Sequence, residues 1–228
     1  MTRIPGAIRS VSALASLLMP SAALHAQVVS ARAVVTAPKS SVRFADVVER
    51  SNGVLAGLEV RLQAGRLTLS GSGTRGRLTP ENSPIARTLG EVSLAGRYDV
   101  LSWLGAETRY VVRAAKSAAG YQRWEVFGLG ARVLRELGGP GVRASAGLVY
   151  SPVAHVTAIE DPTLALSADV GISLAPEAFP LLIGLNYRTE RYRFPSAAGR
   201  SEQFEALTLV VGLGVRRQRG RWTLRGVR

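Results

Sequence analysis

The chain has 228 residues, 46% of them hydrophobic, no cysteine and a formal net charge of +13. This excludes a disordered chain, a disulfide scaffold, a thiolate zinc site and a cysteine nucleophile, and the length allows one sizeable domain or two small ones. Only Lys39 and Lys116 are lysines, and the arginines are dispersed without a nucleic-acid-binding motif, so nucleic acid is not an expected partner.

Residues 1–26, MTRIPGAIRSVSALASLLMPSAALHA, open with Arg3 and Arg9, continue in a short apolar stretch broken by Pro20, and end in small residues. That order predicts a secretory signal peptide, cleaved after Ala26 or after Ala23. Beyond it no apolar run is long enough for a membrane-spanning helix. An exported chain of this kind is either soluble or embedded as a closed sheet.

From residue 28 onward the chain alternates with period two, which predicts β-strands. Residues 28–36 set Val29, Ala31, Ala33 and Val35 against Ser30, Arg32 and Thr36. Residues 54–62 set Val54, Leu58, Val60 and Leu62 against Glu59 and Arg61, and 66–74 set Leu67 and Leu69 against Arg66, Thr68, Ser70 and Ser72. In 91–100, Val92, Leu94, Tyr98 and Val100 oppose Glu91, Ser93, Arg97 and Asp99. In 104–113, Leu104, Ala106, Tyr110 and Val112 oppose Glu107, Arg109 and Arg113. Residues 123–134 place Phe127, Leu129, Ala131 and Val133 on one face, with a register slip expected near Trp124 and Val126, as at a bulge. Strands 142–150, 164–174 and 181–190 follow the same rule, with Arg143, Asp169, Arg188 and Glu190 on the polar side. In 205–217, Leu207, Leu209, Val211, Leu213 and Val215 alternate with Ala206, Thr208, Val210, Gly212, Gly214 and Arg216.

This makes ten candidate strands, with eight as the alternative. Short connections are expected around 63–65, 101–103, 135–141 and 175–180, and long ones around 37–53, 75–90, 114–122, 151–163 and 191–203. Antiparallel strands in chain order then collect the short turns at one rim, with the N-terminus and the tail, and the long loops at the other. Residues 27–217 form the expected barrel domain, and 218–228 a basic tail or terminal strand.

Alternation alone does not say which face is wet, since a soluble barrel also has one apolar and one polar face. The polar face here is rich in Gly, Ser, Ala and Thr, and carries charges of both signs. Glu59, Asp99, Glu107, Asp169 and Glu190 can pair with Arg61, Arg97, Arg109, Arg143 and Arg188, which suits a narrow lumen. The aliphatic face lacks the bulky aromatic layers of a filled interior. Tyr98, Trp103, Tyr110, Tyr150, Tyr187 and Trp222 fall near predicted strand ends, as interfacial girdles would.

With these features the chain resembles the bacterial outer-membrane β-barrels, a likeness of pattern over nearly its whole length. The resemblance implies an all-β fold, a closed up-and-down antiparallel transmembrane β-barrel in the bacterial outer membrane. It also implies membrane lipids and the barrel-assembly machinery as partners. In that class the final strand usually ends in an aromatic residue; here it ends in valine, followed by RRQRGRWTLRGVR, in which Trp222 is the available substitute.

No catalytic, cofactor or metal residue is assigned. His155 is the only histidine of the expected mature chain and lies in SPVAHVTAIEDP with Glu160 and Asp161. Omptin-type outer-membrane proteases are ten-stranded barrels with acidic residues and a histidine at the outer rim, but their Asp-x-His pairing is absent. The GxG pairs Gly128–Gly130 and Gly212–Gly214 lie inside strands without a following helix, so they are not dinucleotide loops. The expected function is a non-enzymatic barrel with a structural, surface-interaction or narrow, porin-like solute-passage role. The alternatives are an outer-rim enzyme centred on His155 and a secreted soluble barrel binding a small apolar ligand.

Overall fold

The computed structural model describes residues 28–83, 85–117, 120–138, 141–157, 159–175, 180–195, 199–218 and 221–224. The expected signal segment lies outside them. The described chain contains β1 (Val28–Phe44), β2 (Val47–Ala64), β3 (Leu67–Pro80), β4 (Arg87–Asp99), β5 (Leu104–Ser117) and β6 (Gly120–Glu136). There follow β7 (Val142–Val156), β8 (Leu164–Leu174), β9 (Leu181–Arg193), β10 (Ser201–Gln218) and the short β11 (Arg221–Leu224). Each strand pairs antiparallel with the next. β1 pairs with β10 from Val28↔Arg216 to Arg43↔Ser201, which closes ten strands into a barrel and leaves no long edge. β11 pairs with β10 beyond the end of β9, through Val215↔Leu224 to Gln218↔Arg221.

The rims fall as the turn pattern predicts, but most of the expected long loops are not loops. The stretch expected as the loop 37–53 is a continuous hairpin: β1 and β2 run 17 and 18 residues and meet at Ala45–Asp46, where Ala45 takes φ 51. Alternation fades there because both faces become polar, while the backbone ladder continues. Pro38 accounts for one local break. It has no N–H to give, and the β1–β2 ladder jumps from Thr36↔Leu55 to Lys39↔Asn52 across it.

The expected slip in β6 is also displaced. β6 alternates without interruption, and the extra residue sits on β7, where Phe127↔Val153 is followed by Leu129↔Tyr150. Trp124 and Val126 disturb the apolar count because they face inward and are buried there. Longer strands likewise move the aromatics. Tyr98 and Trp103 do flank the inner turn, but Tyr110, Tyr150 and Tyr187 lie within strands rather than at their ends.

The wall is inside out relative to a soluble barrel. Leu58, Val92, Leu129, Leu148, Val170, Ile172, Leu185, Leu209 and Leu213 face outward and are exposed, whereas Arg113, Asp169 and Glu190 face inward and are buried. A continuous belt of this kind far exceeds the roughly 300–600 Å² apolar patch of a typical soluble monomer. The β2 and β3 backbones approach closely at their glycines. A Cβ on Gly57 would stand 1.9 Å from the Gly73 carbonyl oxygen, and one on Gly76 would stand 1.9 Å from that of Val54. Only glycine permits this approach.

Candidate functional site

The lumen is where the chain concentrates its polar chemistry. β4 and β9 stand opposite each other, with four strands between them on either side. Arg188 of β9 donates from Nη2 to Glu91 Oε1 of β4 at 2.8 Å, straight across the barrel. Arg113, beside Glu91 in the β4–β5 ladder, donates from Nη2 to Glu190 Oε2 at 2.8 Å and from Nε to Glu91 Oε2 at 2.9 Å. With Arg188 Nε 3.2 Å from Glu190 Oε1, both arginines touch both glutamates. The Tyr192 hydroxyl donates to Glu190 Oε2 at 2.8 Å, and the Arg113 guanidinium lies 3.7 Å from the Phe204 ring centroid. These are charge-assisted contacts inside a closed wall, where they are shorter and stronger than neutral ones.

A second square lies along one side of the barrel, from β5 to β8, with β7 between its members. Arg132 of β6 meets Glu107 at 2.6 Å and Asp169 at 2.7 Å; Arg109 of β5 meets the same two carboxylates at 2.7 and 3.2 Å. Towards the inner rim, Glu59 contacts Arg32 at 3.4 Å and Arg61 at 3.3 Å, and Arg97 contacts Asp99 at 2.8 Å.

Two apolar clusters flank the cross-barrel square. Leu55, Leu78, Leu89, Phe204 and Ala206 form one. Val111, Trp124, Val126, Val156, Ala165, Tyr192 and Phe194 form the other, with the Trp124 and Tyr192 ring centroids 4.7 Å apart. A cavity of about 20 Å³, lined in part by Arg109, Ser151, Ser167 and Tyr192, remains beside the second cluster. It has room for about one water molecule.

Four of the expected pairings occur: Glu59–Arg61, Asp99–Arg97, Glu107–Arg109 and Glu190–Arg188. Asp169 and Arg143 do not meet. Arg143 stands directly across the hairpin from Glu136 and binds it at 3.0 Å, exposed at the rim. The expectation overlooked Glu91, Arg113 and Arg132 as partners. Their inward parity was readable, but contact across a closed barrel is not a sequence-adjacent relation. The inward Trp124, Tyr192 and Phe204 were also missed.

His155 does approach Asp161, with Nδ1 2.9 Å from Oδ1, and both side chains are about half exposed. Asp161 also accepts the Val156 N–H at 2.9 Å, and the neighbouring Thr157 hydroxyl accepts the Arg123 N–H at 2.9 Å. Among the described residues no group of three or more His, Cys, Asp or Glu is arranged to hold a metal ion.

No family model and no curated protein matches the chain. Among solved structures it is similar to the outer membrane protease OmpT from Escherichia coli, at 10% identity and TM-score 0.48, covering 82% of this chain and 96% of that one. It is also similar to the translocator domain of autotransporter NalP from Neisseria meningitidis, at 13% identity and TM-score 0.42, covering 90% and 96%. Neisserial surface protein A aligns at 12% identity and TM-score 0.38, covering 80% and 96%. The membrane-spanning character follows from the wall itself, because lipid-facing aliphatics and a hydrogen-bonded ionic lumen are stable together only when the exterior is hydrocarbon. The chain is a closed, ten-stranded antiparallel β-barrel with the apolar exterior and charged lumen of a membrane-spanning barrel.

Proposed function

We propose that the protein is a non-enzymatic outer-membrane barrel with an occluded lumen, serving a structural or surface-interaction role. The observation that carries this reading is the Glu91–Arg188 contact between opposite walls, doubled by Arg113–Glu190. A hydrated pore needs a continuous gap along its axis. Here buried ion pairs join β4 and β5 to β9, with aromatic packing on one side and leucines on the other. On this reading the partners are the membrane lipids around the wall and the machinery that assembles barrels. The expected result in a liposome-swelling assay is no measurable flux of small sugars through the refolded protein. Fast, size-dependent flux would reject the occluded lumen.

One observation favours a second reading, an enzyme at the outer rim: the His155–Asp161 pair has the geometry of a base held by a carboxylate. Against it, the pair is open to water, and among the described residues no hydroxyl is hydrogen-bonded to His155. If purified protein cleaves a peptide or lipid substrate, His155→Ala must abolish that activity. An activity that survives the substitution removes the histidine from the mechanism.

A further inference from the structure

The exterior above the apolar belt is not uniform. On the β3–β6 wall, two adjacent exterior rows carry cations. One row runs Arg77↔Thr88↔Lys116↔Tyr121, and the row below it runs Arg75↔Gly90↔Ala114↔Arg123. Strand spacing of about 4.8 Å puts Arg77 and Lys116 about 10 Å apart, and Arg75 and Arg123 about 14 Å apart. The rows are separated by two residues, about 7 Å along the strand. Between the cations the surface is floored by Thr88, Gly90 and Ala114. A Cβ added to Gly90 would find nothing nearer than 3.9 Å, so the floor is open.

Negative charge is nearly absent from this surface. β3 has no carboxylate, and Glu91, Asp99 and Glu107 of β4 and β5 all turn into the lumen and pair there. Glu125 is the exception, held by Arg123 at 2.9 Å and by the Tyr110 hydroxyl at 3.3 Å. Arg75, Arg77 and Lys116 are exposed and take part in no ion pair among the described residues. Directly below them, Val92, Leu94 and Val112 continue the outward apolar face, and Val92 is 56% exposed. These cations therefore stand at the level where hydrocarbon gives way to lipid headgroups.

The wall of β9, β10, β1 and β2 also carries outward cations, Arg191 and Arg50 in the row Arg191↔Gln203↔Ser41↔Arg50 and Arg193 and Arg43 in the next, but its row nearest the belt differs. There the row Thr189↔Glu205↔Lys39↔Asn52 sets an acid beside the lysine, and Gln203 Nε2 donates to Glu205 at 2.7 Å.

We infer that Arg75, Arg77, Lys116 and Arg123 form a binding surface for a membrane lipid whose headgroup carries more than one phosphate. Four cations spread over about 14 Å of sheet offer more charge and breadth than a single phosphate uses, and suit two phosphates borne on one headgroup. The small residues between the cations let that headgroup lie against the sheet, with its acyl chains on the belt below. This site rests on the membrane-spanning reading of the barrel.

The test floats refolded protein with phosphatidylcholine vesicles containing a bis-phosphorylated glycolipid or its mono-phosphorylated form, and counts lipids retained after gentle extraction by native mass spectrometry. The wild type should retain the bis-phosphorylated lipid in preference to the mono-phosphorylated one. The triple variant Arg75→Ser, Arg77→Ser, Lys116→Ser should lose retention by about tenfold or more. The control triple Lys39→Ser, Arg191→Ser, Arg193→Ser removes the same charge from the other wall and should stay close to wild type. All three should keep heat-modifiable gel mobility, since every substituted side chain is exposed. Equal loss in both triples would overturn the site in favour of net charge, as would equal retention of the two glycolipids. Inorganic pyrophosphate binding the detergent-solubilised barrel as tightly as the lipid would reassign the surface to free phosphate. Failure to float overturns the membrane reading and this site with it, whereas floating without retention overturns the site alone.

Discussion

Two ionic squares occupy the same lumen with the same chemistry. In each, two arginines touch two carboxylates in all four combinations. Glu91, Arg113, Arg188 and Glu190 come from β4, β5 and β9 and tie opposite walls together. Glu107, Arg109, Arg132 and Asp169 come from β5, β6 and β8 and line one side. The difference is span. Ion pairs along one wall tie strands no more than three places apart, which the run of backbone ladders between them already holds together. Ion pairs across the barrel hold the cross-section, which no backbone hydrogen bond sets. Asp169 and Arg188 are direct ladder partners across β8 and β9, yet each turns away from the other into a different square. Closing the cross-section takes Arg188 away from its acidic ladder partner.

The largest effect should come from removing one acid from each square. Glu91→Ala leaves Arg113 and Arg188 sharing Glu190, and Asp169→Ala leaves Arg109 and Arg132 sharing Glu107. Breaking a buried pair in this way costs about 3–5 kcal/mol, so both variants should unfold at lower urea concentration in a refolding titration followed by heat-modifiable mobility. Only Glu91→Ala should also raise ion conductance in planar bilayers, because only it weakens the bridge between walls. Equal conductance in the two variants would show that span is not the controlling difference.

How much of this was legible in the sequence follows from the same distinction. Period two fixes inward and outward parity at once, so the ten strands, the rim of short turns and the inward charges could be read from residues 28–217. Glu107–Arg109 and Glu190–Arg188 are two residues apart on one strand face and were equally readable. Glu91–Arg188 was not, because it depends on which strands face each other after closure. Leu55 falls in a predicted strand, but Leu78 and Leu89 fall in stretches expected to be loops, so the inward leucine cluster had no pattern to reveal it. Trp124 and Val126 looked like a register error because an apolar lumen residue breaks the rule that inward means polar. Arg143 is a different failure. Its true partner Glu136 sits across a short hairpin that had been located, and counting rungs back from that turn would have found it.

A smaller effect sharpens the comparison from the apolar side. Among the described residues, only the cross-barrel square is buttressed by an aromatic hydroxyl, through Tyr192 and Glu190. Tyr192→Phe removes that donor while keeping the ring against Trp124. Hydrogen bonds to charged groups contribute about 1.5–3 kcal/mol, so the loss in urea stability should be clear but below that of Glu91→Ala. Combined with Glu91→Ala, the two losses should be non-additive, because both act on Glu190 and its arginines. Strict additivity would mean that the hydroxyl acts independently of the square.

The smallest effect belongs to a pair with the same residue types and none of the burial. Arg143 and Glu136 meet at 3.0 Å, but their side chains are 53% and 67% exposed at the inner rim. Water screens them on every open side, and fixing two long side chains costs entropy, so exposed pairs contribute only about 0–1 kcal/mol. Arg143→Ser should therefore leave the unfolding free energy in urea within about 0.5 kcal/mol of wild type, and the remaining difference should vanish in high salt. The lumen squares should resist the same salt, because their charges are enclosed by the wall. If salt instead weakens wild type as much as Glu91→Ala does, the lumen is wetter than its contacts imply and the squares are screened like a surface. A midpoint that ignores salt in wild type, while Arg143→Ser is silent, places the stabilising electrostatics inside the barrel and sets burial, rather than the mere presence of opposite charges, as the controlling variable.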